Sequence, residues 1–185
     1  SGALDLNDND LVVTGGTYAA VAGAIANARN GGSWNRGGLT SSAARNQTNH
    51  ATTLGVLKGS EYTGLGSSNF DGFTIAASDV LVKYTYYGDT DFNGKVNFDD
   101  YVRTDSGFNN HLSGWINGDF DLNNQVNFDD YVLIDLFFNQ QNGGGNAALR
   151  RAQRWLAGES SPKGIDADVL AVLSQLREVQ YGYSL

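Results

Sequence analysis

Cysteine is missing from the 185-residue chain, and methionine with it. The first absence excludes disulfides, thiolate metal sites and cysteine nucleophiles. Together with the start at Ser1, the second leads to the expectation of a processed product or a fragment, with any signal peptide outside the sequence. Proline occurs once, histidine twice (His50, His111) and glutamate three times, at Glu61, Glu159 and Glu178. So few glutamates make a glutamate pair for glycoside hydrolysis improbable. No Gly-x-Ser-x-Gly elbow and no phosphate loop is present. The two histidines stand in polar surroundings and read as surface residues. The expectation is that the chain is not an enzyme. The longest nearly apolar stretch, Tyr18 to Ala28, is too short to span a bilayer, and no basic stripe offers itself to nucleic acid.

What is present is glycine, 24 residues of it, nine Tyr, nine Phe and 41% apolar residues. That content supports a packed core and argues against general disorder. It reads as a loop-rich, strand-containing extracellular protein. A small extracellular domain without disulfides needs another staple, and bound metal is one.

The net charge of −8 is unevenly spread. Residues 1–87 carry six acids and five bases, and residues 136–185 carry four acids and five bases. Residues 88–135 carry ten acids against two bases. An even acidic surface would serve solubility, whereas concentration in one segment asks for a local counter-charge.

That segment is a tandem duplication. Gly88-Asp-Thr-Asp-Phe-Asn-Gly-Lys-Val-Asn-Phe-Asp-Asp-Tyr-Val102 recurs as Gly118-Asp-Phe-Asp-Leu-Asn-Asn-Gln-Val-Asn-Phe-Asp-Asp-Tyr-Val132, 30 residues on. The match extends to Asp105 and Asp135, then to Phe108-Asn109 and Phe138-Asn139. The repeated block is rich in oxygen ligands at alternate positions. Calcium takes roughly six to eight oxygens, and a twelve-residue loop winding round the ion supplies them at such a spacing. In the first copy the ligands expected are Asp89, Asp91, Asn93, the Lys95 carbonyl, Asn97 and Asp100. In the second they are Asp119, Asp121, Asn123, the Gln125 carbonyl, Asn127 and Asp130. Gly94 falls where the chain must turn sharply, and Asn124, its counterpart, tolerates the left-handed region better than other side chains. Val96 is expected to point inward. Without metal, Asp89, Asp91, Asp99 and Asp100 are expected to crowd the first loop. Two calcium ions are therefore the cofactor expected.

Each loop precedes an expected short helix, one starting with Phe98, Tyr101 and Val102, the other carrying Phe128, Tyr131, Val132, Ile134, Leu136, Phe137 and Phe138. Their i, i+3, i+4 spacing suits a helix packed on its twin, with Trp115 as a core aromatic in the seam.

At these residues, over about 86–140, the sequence resembles a dockerin. The resemblance implies two calcium loop–helix units with near-twofold internal symmetry. It also implies a role for the tenth and eleventh loop positions, here Phe98-Asp99 and Phe128-Asp129, in recognising a cohesin partner; dockerins of cellulosomes often carry Ser-Thr there. A second resemblance rests on Leu4-Asp-Leu-Asn-Asp-Asn-Asp-Leu-Val-Val13, on Asn30-Gly-Gly-Ser-Trp34, on Ser41-Ser-Ala-Ala44 and on Val80-Leu-Val-Lys-Tyr-Thr-Tyr-Tyr-Gly-Asp89. In this order they are similar to the C-terminal regions of large secreted surface proteins of planctomycete-type bacteria, which implies a cell-surface setting.

Elsewhere, Leu4 to Val13 predicts two short strands around an Asn7-Asp8-Asn9-Asp10 turn. Thr17 is expected to cap a helix to about Arg29, with Tyr18, Val21, Ile25 and Ala28 on one face and Gly31-Gly32 ending it. Thr52 to Lys58, Phe70 to Ala76 and Val80 to Tyr87 predict strands. Asn46-Gln47-Thr48 fits an N-glycosylation acceptor, which would place a glycan at Asn46. Residues 141–147 read as a Gly/Asn-rich linker, followed by helices over 147–157 and from Asp166 or Asp168 through an apolar stripe ending at Val179.

The fold class expected is α+β, in three parts: a mixed strand and helix unit over 1–87, a dockerin-like tandem calcium domain over 88–140, and a linker with C-terminal helices over 141–185. The function expected is an extracellular, calcium-stabilised structural protein. Its partner would be further copies of itself, in a filament or layer, or another surface protein. The alternative is a dockerin module anchoring a larger secreted, carbohydrate-active protein to a cohesin-like receptor.

Overall fold

The computed structural model describes residues 2–141, with side chains to residue 138. The helices expected over 147–157 and 166–179 lie outside the described residues, as does most of the 141–147 linker.

Helices and strands both occur, in an α+β arrangement. The central element is a three-stranded antiparallel sheet of β2 (Leu11–Val13), β7 (Val80–Tyr86) and β4 (Thr52–Lys58), with β7 in the middle. β4 pairs with β7 along its full seven residues, from Thr52 opposite Tyr86 to Lys58 opposite Val80. Their β-branched and aromatic content suits a pleated surface covered on both faces. Leu54, Val56, Leu57, Leu81 and Val82 are accordingly all inaccessible to solvent.

β1 (Ala3–Asp5) and β2 flank the Asn7–Asp10 turn as the sequence predicts, yet they do not pair with each other. β1 runs parallel to β3 (Gly38–Thr40), while β2 pairs with β7. Asp10 explains the parting. Its carboxylate accepts the Tyr84 N–H at 2.7 Å and the Lys83 ammonium at 2.5 Å, which fastens the turn's end to the middle strand. This aspartate is structural.

Helix α1 (Tyr18–Arg29) starts on Thr17, whose hydroxyl accepts the Ala20 N–H at 3.3 Å. It ends where Asn30 and Gly31 turn to positive φ, 42° and 68°. Val21, Ile25 and Ala28 are buried. Two short helices that the spacing did not announce are α2 (Ser42–Asn46), capped by the Ser41 hydroxyl on Ala44 N–H at 2.9 Å, and α3 (Gly59–Gly64). Asn46 closes α2 and is exposed. Phe70 to Ala76 is not one strand. It is a tight hairpin of β5 (Asn69–Phe70) and β6 (Phe73–Thr74). Asp71 and Gly72 both take positive φ, 50° and 88°, the geometry that an Asp-Gly pair favours between two strands.

The duplicated segment forms α4 (Phe98–Asn109) and α5 (Phe128–Gln141), each preceded by an irregular loop, with a 3-10 turn at Trp115–Asn117 between them. One hydrophobic core runs through everything described. It joins Ile25 of α1 and Leu54 of β4 to Phe92 and Phe120 of the loops and Ile134 of α5. Gly55 is the point of closest approach, since a Cβ there would meet Phe92 at 2.7 Å and Trp115 at 2.8 Å. Only glycine lets the loop segment lie flat on β4.

Candidate metal centre

The two loops are near-copies in space as well as in sequence. From residue 88 to 107 and from 118 to 137 the pattern of buried, half-buried and exposed positions is the same, residue for residue. At equivalent positions Gly94 and Asn124 turn to φ 79° and 70°, as the turn chemistry requires. Phe92 and Leu122 do the same, at 64° and 59°, which the sequence did not announce. Bulky residues are unfavourable there. Their side chains are 6% and 8% exposed, so core packing offsets the strained backbone.

The first turn of each following helix fixes the last acid of its loop. Asn97 Oδ1 accepts the Asp99 N–H at 2.7 Å, and Asp100 Oδ2 reaches back to the Asn97 N–H at 2.9 Å. Asn127 and Asp130 repeat both contacts, at 2.7 and 2.9 Å. These reciprocal caps start the helix and hold a carboxylate over the loop.

In each loop three carboxylates converge. Asp89, Asp91 and Asp100 place oxygens within 4.8 Å of one another, as do Asp119, Asp121 and Asp130. Asp89, Asp100 and Asp130 are wholly inaccessible, and Asp119 is 2% exposed. Backbone N–H groups face them. Gly94 N donates to Asp89 at 3.1 Å, Thr90 N to Asp100 at 3.0 Å, Phe120 N to Asp130 at 2.7 Å and Asn124 N to Asp119 at 3.2 Å. Thr85, at the end of β7, donates its hydroxyl to Asp89 Oδ2. The other oxygen, Asp89 Oδ1, is buried with no hydrogen-bond partner.

Three like charges at this spacing are unstable alone. Burial, reinforced by the charges of Asp91 and Asp100, pushes the Asp89 carboxyl up to about 7. Burial pushes Asp130 up to about 6, with Asp121 adding to it, and raises Asp100 and Asp119 from the ordinary carboxylate range. A cation among them would remove the cause.

Of the expected ligands, the six aspartates are therefore brought together in two groups. Asn93, Lys95, Asn123 and Gln125 are exposed on the loops' outer turns. Asn93 Oδ1 accepts the Lys95 N–H and Asn123 Oδ1 the Gln125 N–H, both at 2.8 Å. Asn97 and Asn127 serve as helix caps. Asp99 departs from expectation. It does not crowd the loop but is exposed in the first turn of α4, where the helix dipole favours an acid, and Asp129 matches it in α5. Val96 and Val126 point inward, at 1% and 8% exposure.

The spacing missed three contributors. Trp115 Nε1 donates to the Asp89 carbonyl at 2.7 Å, tying the seam to the first loop. Thr90 donates its hydroxyl to Asp100 at 2.6 Å. Arg103 lies 3.3 Å from Asp91 Oδ2, a position that its i, i+3 relation to Asp100 could have flagged. The expected stripe on the helices also divides differently. Tyr101, Tyr131, Ile134 and Phe137 face inward, while Phe98, Phe128 and Val132 are 77%, 75% and 65% exposed.

No protein-family model, no curated protein and no solved structure matches the chain. Two groups of acids able to hold a metal ion are what the geometry itself provides.

Proposed function

We propose that each loop binds one calcium ion and that the chain is a non-catalytic, calcium-stabilised extracellular module that assembles with copies of itself or with another surface protein. The observation that carries the calcium reading is Asp89. A fully buried carboxylate oxygen without a partner, among two further carboxylates, is costly unless a cation is coordinated there. The donor set is entirely hard oxygen, with no sulfur and no histidine, which favours calcium over softer metals. The side chains that would hold the ions are Asp89, Asp91, Asn93, Asn97 and Asp100, and Asp119, Asp121, Asn123, Asn127 and Asp130, with the carbonyls of Lys95 and Gln125. Two ions bring four positive charges to a segment whose excess is eight negative ones.

The assembly half of the reading is supported by apolar surface. Phe73, Phe98, Phe128 and Val132 are each at least 65% exposed, which leaves large apolar side chains available to a partner. Docking on a cohesin-like receptor is the second reading, since Phe98 and Phe128 occupy the loop positions that the dockerin resemblance links to partner recognition, but they stand where cellulosomal dockerins often carry Ser-Thr, which counts against an ordinary cohesin partner.

Calorimetry of the chelator-stripped protein is the test of the calcium reading. Two equivalents of calcium should bind with a rise in melting temperature, and the absence of both would refute it. Sedimentation and electron microscopy of the calcium-loaded protein test assembly. A strict monomer at high concentration that a cohesin-type domain captures would favour the second reading.

A further inference from the structure

The two loops differ in the positive charge set beside their acids, which their shared pattern does not predict. Thirty residues separate equivalents, so Arg103 and Leu133 occupy the same place on α4 and α5, and Lys95 and Gln125 the same place in the loops. Arg103 Nη1 lies 3.2 Å from Thr90 Oγ1, 3.3 Å from Asp91 Oδ2 and 3.7 Å from Asp100 Oδ1. Its guanidinium thus touches two of the three acids of the first loop. Its side chain is 28% exposed, and those of Asp91 and Asp100 are 16% and 0%, so water screens the contact only in part. Leu133 can do nothing of the kind. It is half-buried and lines a cavity together with Trp34 and Tyr87. Among the described residues no lysine or arginine pairs with Asp119, Asp121 or Asp130.

Resting on the calcium reading above, we propose that Arg103 is a resident counter-cation of the first loop, which makes that loop the weaker calcium site and the second loop the one that fills first. An ion entering the first loop meets three carboxylates and one guanidinium; in the second it meets three carboxylates alone. The ion must share Asp91 and Asp100 with Arg103 or displace it, and it is repelled either way. A unit charge repels a divalent ion twice as strongly as a monovalent one, so a pair about 6 Å apart in the dielectric of bulk water already weakens binding about tenfold. Lys95, exposed on the same loop, adds to the difference. The unpartnered Asp89 oxygen pulls the other way, but a lone buried oxygen gains one contact, while Arg103 opposes the ion at two ligands. At intermediate calcium the second loop is loaded and the first stays folded around its arginine.

The experiment is a calcium titration of the full chain by calorimetry, in three backgrounds. D121A isolates the first loop and D91A the second. The first-loop protein should bind about tenfold more weakly than the second-loop protein. Adding R103L to D121A should tighten the first loop by about tenfold. R103Q, which removes the charge but keeps a donor for Thr90, should do the same, so that a folding defect in R103L does not decide the matter. Equal affinities of the two loops, or a first loop unmoved by both Arg103 substitutions, would overturn the arginine proposal and leave calcium binding standing. No heat in any background would overturn both.

Discussion

The Tyr101 hydroxyl of α4 donates to Asp135 of α5 at 2.5 Å, and Tyr131 of α5 donates to Asp105 of α4 at the same distance. The pair is one interaction made twice, each tyrosine using the acid that its own twin's neighbour supplies. Tyr101 packs edge-on against Phe138, and Tyr131 against Phe108, with centroids 5.5 and 5.8 Å apart. Duplicated residues 30 apart thus build a near-twofold seam. Y101F and Y131F should each cost about 1 kcal/mol, the worth of a hydrogen bond at a half-exposed site. Urea unfolding should give equal losses from the two and a near-additive double variant, and strongly unequal losses would deny the symmetry.

Gly55 sets how closely the loops approach the sheet. G55A should destabilise by about 1–3 kcal/mol through overpacking against Phe92 and Trp115. It should also weaken calcium uptake, because Trp115 holds the Asp89 carbonyl. Thermal unfolding with and without calcium measures both. An unchanged midpoint would mean that the two segments are not tightly apposed.

The acids give the metal-free protein an unusual pH response. Asp89 and Asp130 have folded-state values of about 7 and about 6, raised from an ordinary 3.8. The folded state therefore holds protons that the unfolded state has lost, across a window from about pH 4 to pH 7. By linkage, stability falls as pH rises through that window. The chelated protein should melt higher at pH 5 than at pH 7.5. With calcium the trend should reverse, since protons compete with the ion for the same oxygens. A chelated protein that stabilises steadily from pH 5 to pH 7.5 would contradict the burial of these acids.

The left-handed turn in each loop makes a paired prediction. G94A introduces a side chain at φ 79° and should cost about 1–2 kcal/mol. N124G relieves φ 70° and should be neutral or mildly stabilising. Chemical denaturation of the two variants provides the comparison.

Much of this was legible beforehand because it is local. The Thr17 cap, the span of β4, the two loops and the inward valines follow from spacing or from side-chain chemistry within a few residues. What escaped depends on distant partners. The Asp71-Gly72 turn lay in view, but the apolar residues around it read as one continuous strand. β3 is three residues long and exists through its parallel pairing with β1. Asp99 and Phe98 were misplaced because a periodic stripe does not say which side of it meets the twin helix. Arg103 and Thr90 reach the acids only through the folded loop, so a ligand spacing of acids and amides does not point to them.

One feature of the chain's route ties the first loop to the sheet. β7 is the middle strand, Thr85 near its end grips the Asp89 carboxylate, and the loop begins three residues beyond the strand's last residue, Tyr86. The strand that holds its sheet together is thus also the tether of the acid cluster. Slack or tension in that cluster would be transmitted along β7 to β2 and β4, so the amides of β2 and β4 should report by hydrogen exchange on events at the acid cluster.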